Sequence, residues 1–315
     1  MNTRHLVDPE LLPFIDASPS WQLSTATLAS VREMMEQLYG ANATGAKPDR
    51  EIKIAGNAGT PDVSLLVFTP AGPTRIRPAI YHMHGGGMVL GKAVNMSERI
   101  REYVALNDVV VVSVEYRLAP ETAFPGPIED CYAGLVWLFA NAPSLGVDPA
   151  RIAVMGESAG GGLAAALALL ARDRNTVRPC AQILVYPMLE HRTGGPDDPH
   201  PNEITGQFSW SRESNQYGWA SMQGSYNLAD DRIGHFSPSR ASDLRDLPPA
   251  FIGVGALDLF MEEDVDYARR LVRRGVAVEC HVYPGAIHGF DFMPSALERQ
   301  FVADRTRAIG RLLRV

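Results

Sequence analysis

The chain has 315 residues, 46% of them hydrophobic and 21% charged, with a formal net charge of −7. That composition excludes a disordered chain, which is too polar to bury a core, and the acidic balance excludes a nucleic-acid partner, whose phosphates call for clustered Lys and Arg. At roughly 150 residues per domain the length allows two units, or one larger α/β fold with an appendage.

The first 16 residues carry Asp8, Glu10 and Asp16 and no apolar stretch behind a basic start. No secretory signal is read there, and a cytoplasmic location is expected. An amphipathic helix is predicted around Leu28–Tyr39, in an N-terminal segment outside the strand-and-helix alternation that begins near Glu51. Alternating Val- and Leu-rich strands are predicted at Glu51–Ala55 and Val63–Thr69, joined through Asn57-Ala58-Gly59 as a hairpin at a sheet edge. Three short, almost purely apolar strands come next at Ala79–Met83, Val109–Val114 and Ile152–Met155, the kind buried on both faces of a parallel sheet. Ile183–Tyr186, Phe251–Val254 and Val276–Tyr283 continue the series, and helices read most clearly at Ile128–Asn141, Ala159–Arg172, Val265–Arg274 and Ala296–Leu313. The apolar run Leu163–Ala171 falls far short of the ~20 residues that span a bilayer, so no membrane span is expected.

Strand and helix in alternation predict an α/β doubly wound sheet whose ligand crevice lies at the carboxyl ends of the strands. Residues 188–226 break the alternation: a loop rich in Gly, Pro and Asp at 193–201 precedes Phe208, Trp210, Tyr217, Trp219 and Tyr226. Aromatics supply large apolar contact area, so this insertion reads either as a cap over a pocket, with Phe208, Trp210 and Trp219 on its wall, or as a small core of its own. The expected organisation is an N-terminal part of the cap at 1–45, a first core part at 46–187, a cap insertion at 188–230 and a second core part at 231–315.

Gly156-Glu157-Ser158-Ala159-Gly160 matches the G-x-S-x-G nucleophile elbow, and it stands after a predicted strand and before a predicted helix, as the motif requires. His84-Gly85-Gly86-Gly87 comes directly after another strand, and successive glycines let a backbone turn its N–H groups toward a ligand. The amides of Gly86, Gly87 and Ala159 are the expected oxyanion donors; His84 itself reads as a loop-positioning residue sooner than as a base. A serine hydroxyl is a weak nucleophile until a base takes its proton, and in this fold the chain order is Ser, acid, His. Asp258 falls in the loop after the strand at 251–254, and His288 in the loop after the strand at 276–283, both on the crevice face. Asp258 is therefore the expected orienting acid and His288 the base, while Glu262, Glu263, Asp264 and Asp266 read as the solvated acidic face of the next helix. Cys131, Cys180 and Cys280 are widely separated and read as buried small hydrophobes, neither a disulfide framework nor a zinc site. No metal and no cofactor are expected.

These motifs together, with Val114-Glu115-Tyr116-Arg117-Leu118-Ala119-Pro120-Glu121, Gly161 after the elbow and His288-Gly289-Phe290, resemble the hormone-sensitive-lipase family of α/β-hydrolases, the bacterial family IV carboxylesterases. The resemblance runs from about residue 50 to 313. It implies an α/β-hydrolase fold with a mostly parallel eight-stranded sheet, a helical cap built from the N-terminal segment and the insertion after the sixth strand, and hydrolysis of short- to medium-chain acyl esters. It also allows a homodimer through the last strand. Two departures stand out: Glu157 precedes the nucleophile where such proteins often have Asp or Thr, and Asp258-Leu259-Phe260 stands where Asp-Pro-Leu is frequent. Amide or lactone hydrolysis uses the same acyl-enzyme chemistry, and a catalytically silent receptor on this fold is the reading from another class, disfavoured by the retention of Ser158, Asp258 and His288.

Overall fold

The computed structural model describes residues 3–18, 22–41, 45–56, 59–73 and 75–314. Eight strands form one sheet in the order β1-β2-β4-β3-β5-β6-β7-β8. They are β1 (Arg50–Ile54), β2 (Val63–Phe68), β3 (Arg77–Met83), β4 (Val110–Glu115), β5 (Val147–Glu157), β6 (Ala181–Val185), β7 (Ala250–Gly255) and β8 (Val278–Tyr283). The β1–β2 and β2–β4 pairs are antiparallel, and every pair from β4 across to β8 is parallel. The expected hairpin is thus present at one edge; Asn57 and Ala58 of its expected turn lie outside the described residues.

Helices α1 (Leu12–Ala17), α2 (Leu28–Ala41), α3 (Ser97–Asn107), α4 (Gly126–Asn141), α5 (Ala159–Arg174), α6 (Arg212–Gln223), α7 (Ile233–Phe236), α8 (Met261–Arg273) and α9 (Ala296–Leu313) surround the sheet. Alternate residues of the central strands go to opposite faces, as the two-residue period of a strand demands. Ala79, Tyr81, Met83, Val112, Val154 and Leu184 pack in one core with α4 and α5. Ile80, Val111, Ala153, Met155 and Ile183 pack in a second core with α3 and α9. Helix α5 is buried along its whole apolar length from Ala159 to Ala171, because it is covered by the sheet on one side and by α4 and α7 on the other. Helix α3 is an addition to the predicted set, although Ile100, Tyr103, Val104 and Asn107 stand at helical spacing and are its buried face.

Strands β4 and β5 flank β3, so the chain steps one way across the sheet from β3 to β4 and then back past β3 to β5. Open α/β sheets form their crevice at such a switch point, outside the carboxyl ends of the strands. The register Met83↔Gly156 puts the loops after β3 and β5 side by side there. Among the described residues no helix is long and apolar enough to cross a membrane.

Candidate active site

The turn between β5 and α5 is held in one geometry. Ser158 sits at φ 56°, ψ −121°, a conformation that non-glycine residues adopt only where the surroundings over-determine it. Its N–H donates to Val185 O at 2.9 Å, and its carbonyl accepts from Gly162 and Met188 N–H, each at 2.9 Å. Gly160 is needed for the close approach of this turn to β3: a β-carbon there would lie 2.1 Å from Met83 O and 2.5 Å from His84 O.

The loops after β7 and β8 bring the two partners. Asp258 is fully buried, and its Oδ1 accepts the Phe260 N–H at 3.0 Å. Its Oδ2 lies 2.8 Å from His288 Nδ1, and His288 Nε2 lies 3.0 Å from Ser158 Oγ. The imidazole is walled by Tyr186, Phe260 and Trp210, with ring centroids at 4.7, 5.2 and 6.3 Å. One continuous line of hydrogen bonds therefore joins Asp258, His288 and Ser158, three residues drawn from three separate loops. Geometry of this kind lets a hydroxyl proton pass to an imidazole whose other nitrogen is held by a carboxylate. Glu263 and Asp264, expected on a solvated face, are instead buried: α8 turns them inward. Glu263 accepts the Leu189 and Glu190 N–H groups and the Thr193 hydroxyl, tying the start of the insertion to α8.

Gly85 lies against the elbow, where an added β-carbon would be 3.4 Å from Ser158 Cβ. Gly86 and Gly87 come next at φ +123° and +59°. Leu90 and Val89 donate to Gly86 O, closing the loop into a tight turn. Among the described residues the amides of Gly86 and Gly87 donate no backbone hydrogen bond and both residues line the pocket with Ser158, while Ala159 opens α5 directly after the serine. His84 is buried, stacks on Tyr116 at 4.3 Å and turns Nδ1 to Gly85 O at 2.8 Å. Burial holds its pKa down at about 4, so it is a neutral part of the loop's support, as expected.

The pocket over Ser158 is mostly apolar, walled by Met35, Leu90, Met96, Tyr186, Trp210 and Phe292, with Lys92 and Asn95 at the polar side. Trp210 reaches it, but Trp219 does not: α6 turns Trp219 away into a separate cleft with His191 and Phe236. Phe208 packs on the core beneath α3 and α9. The other aromatics of the insertion, Tyr217 and Tyr226, join the opposite core. The insertion thus gives one tryptophan to the pocket wall, while its other aromatics pack on the two sheet cores instead of forming a core of their own. Of the cysteines only Cys131 is buried; Cys180 is half-buried and Cys280 exposed at the edge strand β8.

Contacts that the sequence motifs do not give lie beneath the elbow. Glu157 is buried and meets His82 Nε2 at 2.9 Å and the Tyr103 hydroxyl at 2.8 Å. Burial alone would raise its pKa, but His82, the hydrogen bonds from His82 and Tyr103, and Arg305 outweigh it and hold the carboxyl below its ordinary range. The sequence signals are Glu157 itself, a departure beside the nucleophile, and His82, a polar residue in the middle of an otherwise apolar central strand.

Residues 80–292 match the family of the alpha/beta hydrolase fold. The chain belongs to that family. It is 32% identical to carboxylesterase NlhH of Mycobacterium tuberculosis over 90% of this chain and 88% of that protein. With esterase LipI of the same organism it shares 31% identity over 90% and 88% of the two chains. Among solved structures it superposes on a bacterial heroin esterase with a TM-score of 0.92 at 36% identity, covering 100% of both chains. A hyperthermophilic esterase from Pyrobaculum calidifontis gives a TM-score of 0.83 at 31% identity, over 97% of this chain and 98% of that one.

Proposed function

We propose that this α/β-hydrolase is a carboxylesterase that cleaves short- to medium-chain acyl esters through an acyl-enzyme on Ser158. The observation that carries the reading is the unbroken hydrogen-bonded line from Asp258 through His288 to Ser158, ending at an apolar pocket. His288 Nε2 takes the Ser158 proton as Oγ attacks the ester carbonyl carbon, and Asp258 fixes the tautomer and stabilises the imidazolium. The carbonyl oxygen becomes an anion, met by the amides of Gly86, Gly87 and Ala159; each such donor is worth roughly 10²–10³ in rate. His288 then protonates the departing alkoxide, the C–O bond breaks, and the acyl group remains on Ser158. A water that gives its proton to His288 attacks the acyl-enzyme, and collapse returns the acid and the free serine. The segments 1–45 and 188–230 are read as the cap, supported by Met35 and Trp210 reaching the pocket from them. Trp210 beside Gly87 supports a preference for small acyl groups.

The test is hydrolysis of p-nitrophenyl esters from acetate to palmitate by the wild type and Ser158→Ala. Turnover greatest at the short esters and reduced on the order of 10⁴-fold or more in the variant is expected, since the loss of one triad member leaves only binding and oxyanion stabilisation. A folded wild type inactive on every ester overturns the proposal.

A further inference from the structure

Two catalytic segments are linked from below through the buried cation Arg305. Glu157 immediately precedes Ser158, and Asp291 lies three residues beyond His288. Both carboxylates are buried, Asp291 beside the guanidinium of Arg305 and Glu157 linked to it through Tyr103; Arg305 rises from α9 and is only 1% exposed. Arg305 Nη1 lies 3.8 Å from Asp291 Oδ2 and donates to the Tyr103 hydroxyl at 3.4 Å. Tyr103 in turn donates to Glu157 Oε1 at 2.8 Å. The Arg305 guanidinium is sandwiched by π faces, 4.5 Å from the Tyr103 ring centre and 5.0 Å from that of Phe301. On the other side the Tyr186 hydroxyl donates to Asp291 Oδ1, and the Tyr186 ring meets His288 edge-on at 4.7 Å. Arg99 closes the end of the chain by donating to the Asp291 carbonyl.

We propose that the bridge Glu157, Tyr103, Arg305, Asp291, Tyr186 positions the nucleophile elbow relative to the His288 loop, so that Arg305 sets the Ser158 to His288 contact without touching substrate. The physical reason lies in what burial demands. An unpaired buried charge costs far more than a paired one, so Arg305, held by Asp291 directly and by Glu157 through Tyr103, resists any displacement of either segment that would strand it. Glu157 adjoins Ser158 and Asp291 lies three residues from His288, so the link through Arg305 couples the separation of the two segments. Arginine serves here because its planar guanidinium can face two partners while stacking on aromatic rings. These are positioning residues, and the inference rests on the proposed roles of Ser158 and His288.

The experiment removes one hydroxyl on each side of Arg305, by Tyr103→Phe and Tyr186→Phe, singly and together, which keeps shape and avoids an unpaired charge. The readout is the rate at which a fluorophosphonate labels Ser158, tracked across pH, with the melting temperature measured alongside. Labelling needs no ester, so an error in the substrate class appears in the ester assay and leaves this result standing. Each single variant is expected to label about three- to tenfold more slowly, and the double variant by less than the product of the two, because both break one connected bridge. Labelling within twofold of wild type in both variants, whatever the melting temperatures, overturns the proposal, as do effects that simply multiply.

Discussion

At Gly87 two demands meet on one residue. Its φ of +59° lies in the left-handed region, and a β-carbon there would stand 2.2 Å from Cη2 of Trp210. Gly87→Ala carries only a modest backbone cost, roughly 1 kcal/mol, so the clash with the indole is the larger effect. The loop or the indole must move, and the proposed oxyanion donors of the loop move with it. The expected loss in kcat is on the order of 10²-fold, near the worth of one donor. Combining it with Trp210→Ala should restore part of the rate; a double variant no faster than Gly87→Ala would mean that backbone strain, not the clash, is responsible. Ser158, Asp258 and His288 are legible at this scale because loops past strand ends carry chemistry, and their order along the chain is fixed by the winding of the sheet. The contact of Glu157 with His82 is not, since a carboxylate and an imidazole 75 residues apart announce no contact until β3 and β5 lie side by side.

Helix α2 shows how an element remote in sequence becomes part of the pocket. Arg32 donates from Nε to Val89 O at 2.9 Å and from Nη2 to Ala119 O at 3.0 Å, and grips both carboxylate oxygens of Glu121. Glu121 is held down at about 2 by its hydrogen bond to Arg32, so this contact is charged throughout the neutral range. One turn further on, Met35 forms a wall of the pocket. Arg32→Ala should therefore raise KM several-fold with kcat nearly unchanged, and lower the melting temperature by a few degrees, in keeping with about 1 kcal/mol for partly exposed charged hydrogen bonds. A fall in kcat with KM unchanged would place α2 in the chemistry, against this account. The spacing of its apolar residues predicts the helix, yet nothing in that spacing shows which loop it covers.

For the molecule as a whole, the buried acids of α8 make stability depend on pH in an unusual sense. Burial, and the neighbouring Glu263 and Asp258, push the Asp264 carboxyl well above its ordinary value. In the folded protein it keeps its proton at a pH where the unfolded chain has lost it. Its contribution to stability is thus full below the ordinary carboxyl range and declines as pH rises toward the folded value. Asp264→Asn mimics the protonated form, so its melting temperature relative to wild type should climb from pH 4 to pH 8. A constant difference across that range would mean that Asp264 is not held protonated.

Periodicity alone determined the strands of the core and most of its helices, α3 excepted, because a strand buried on both faces must be apolar throughout and a helix on a sheet must repeat every 3.6 residues. Local motifs likewise determined the elbow and the glycine loop, since both are built from backbone conformations that few residues accept. What only the tertiary structure decided was which distant side chains meet. Trp210 faces the pocket while Trp219 turns away, Glu263 and Asp264 point inward, and Arg305 from α9 lies under the elbow. Each of these depends on the rotation and crossing of an element against its neighbours, which is set by packing across the whole sheet and leaves no local mark in the chain.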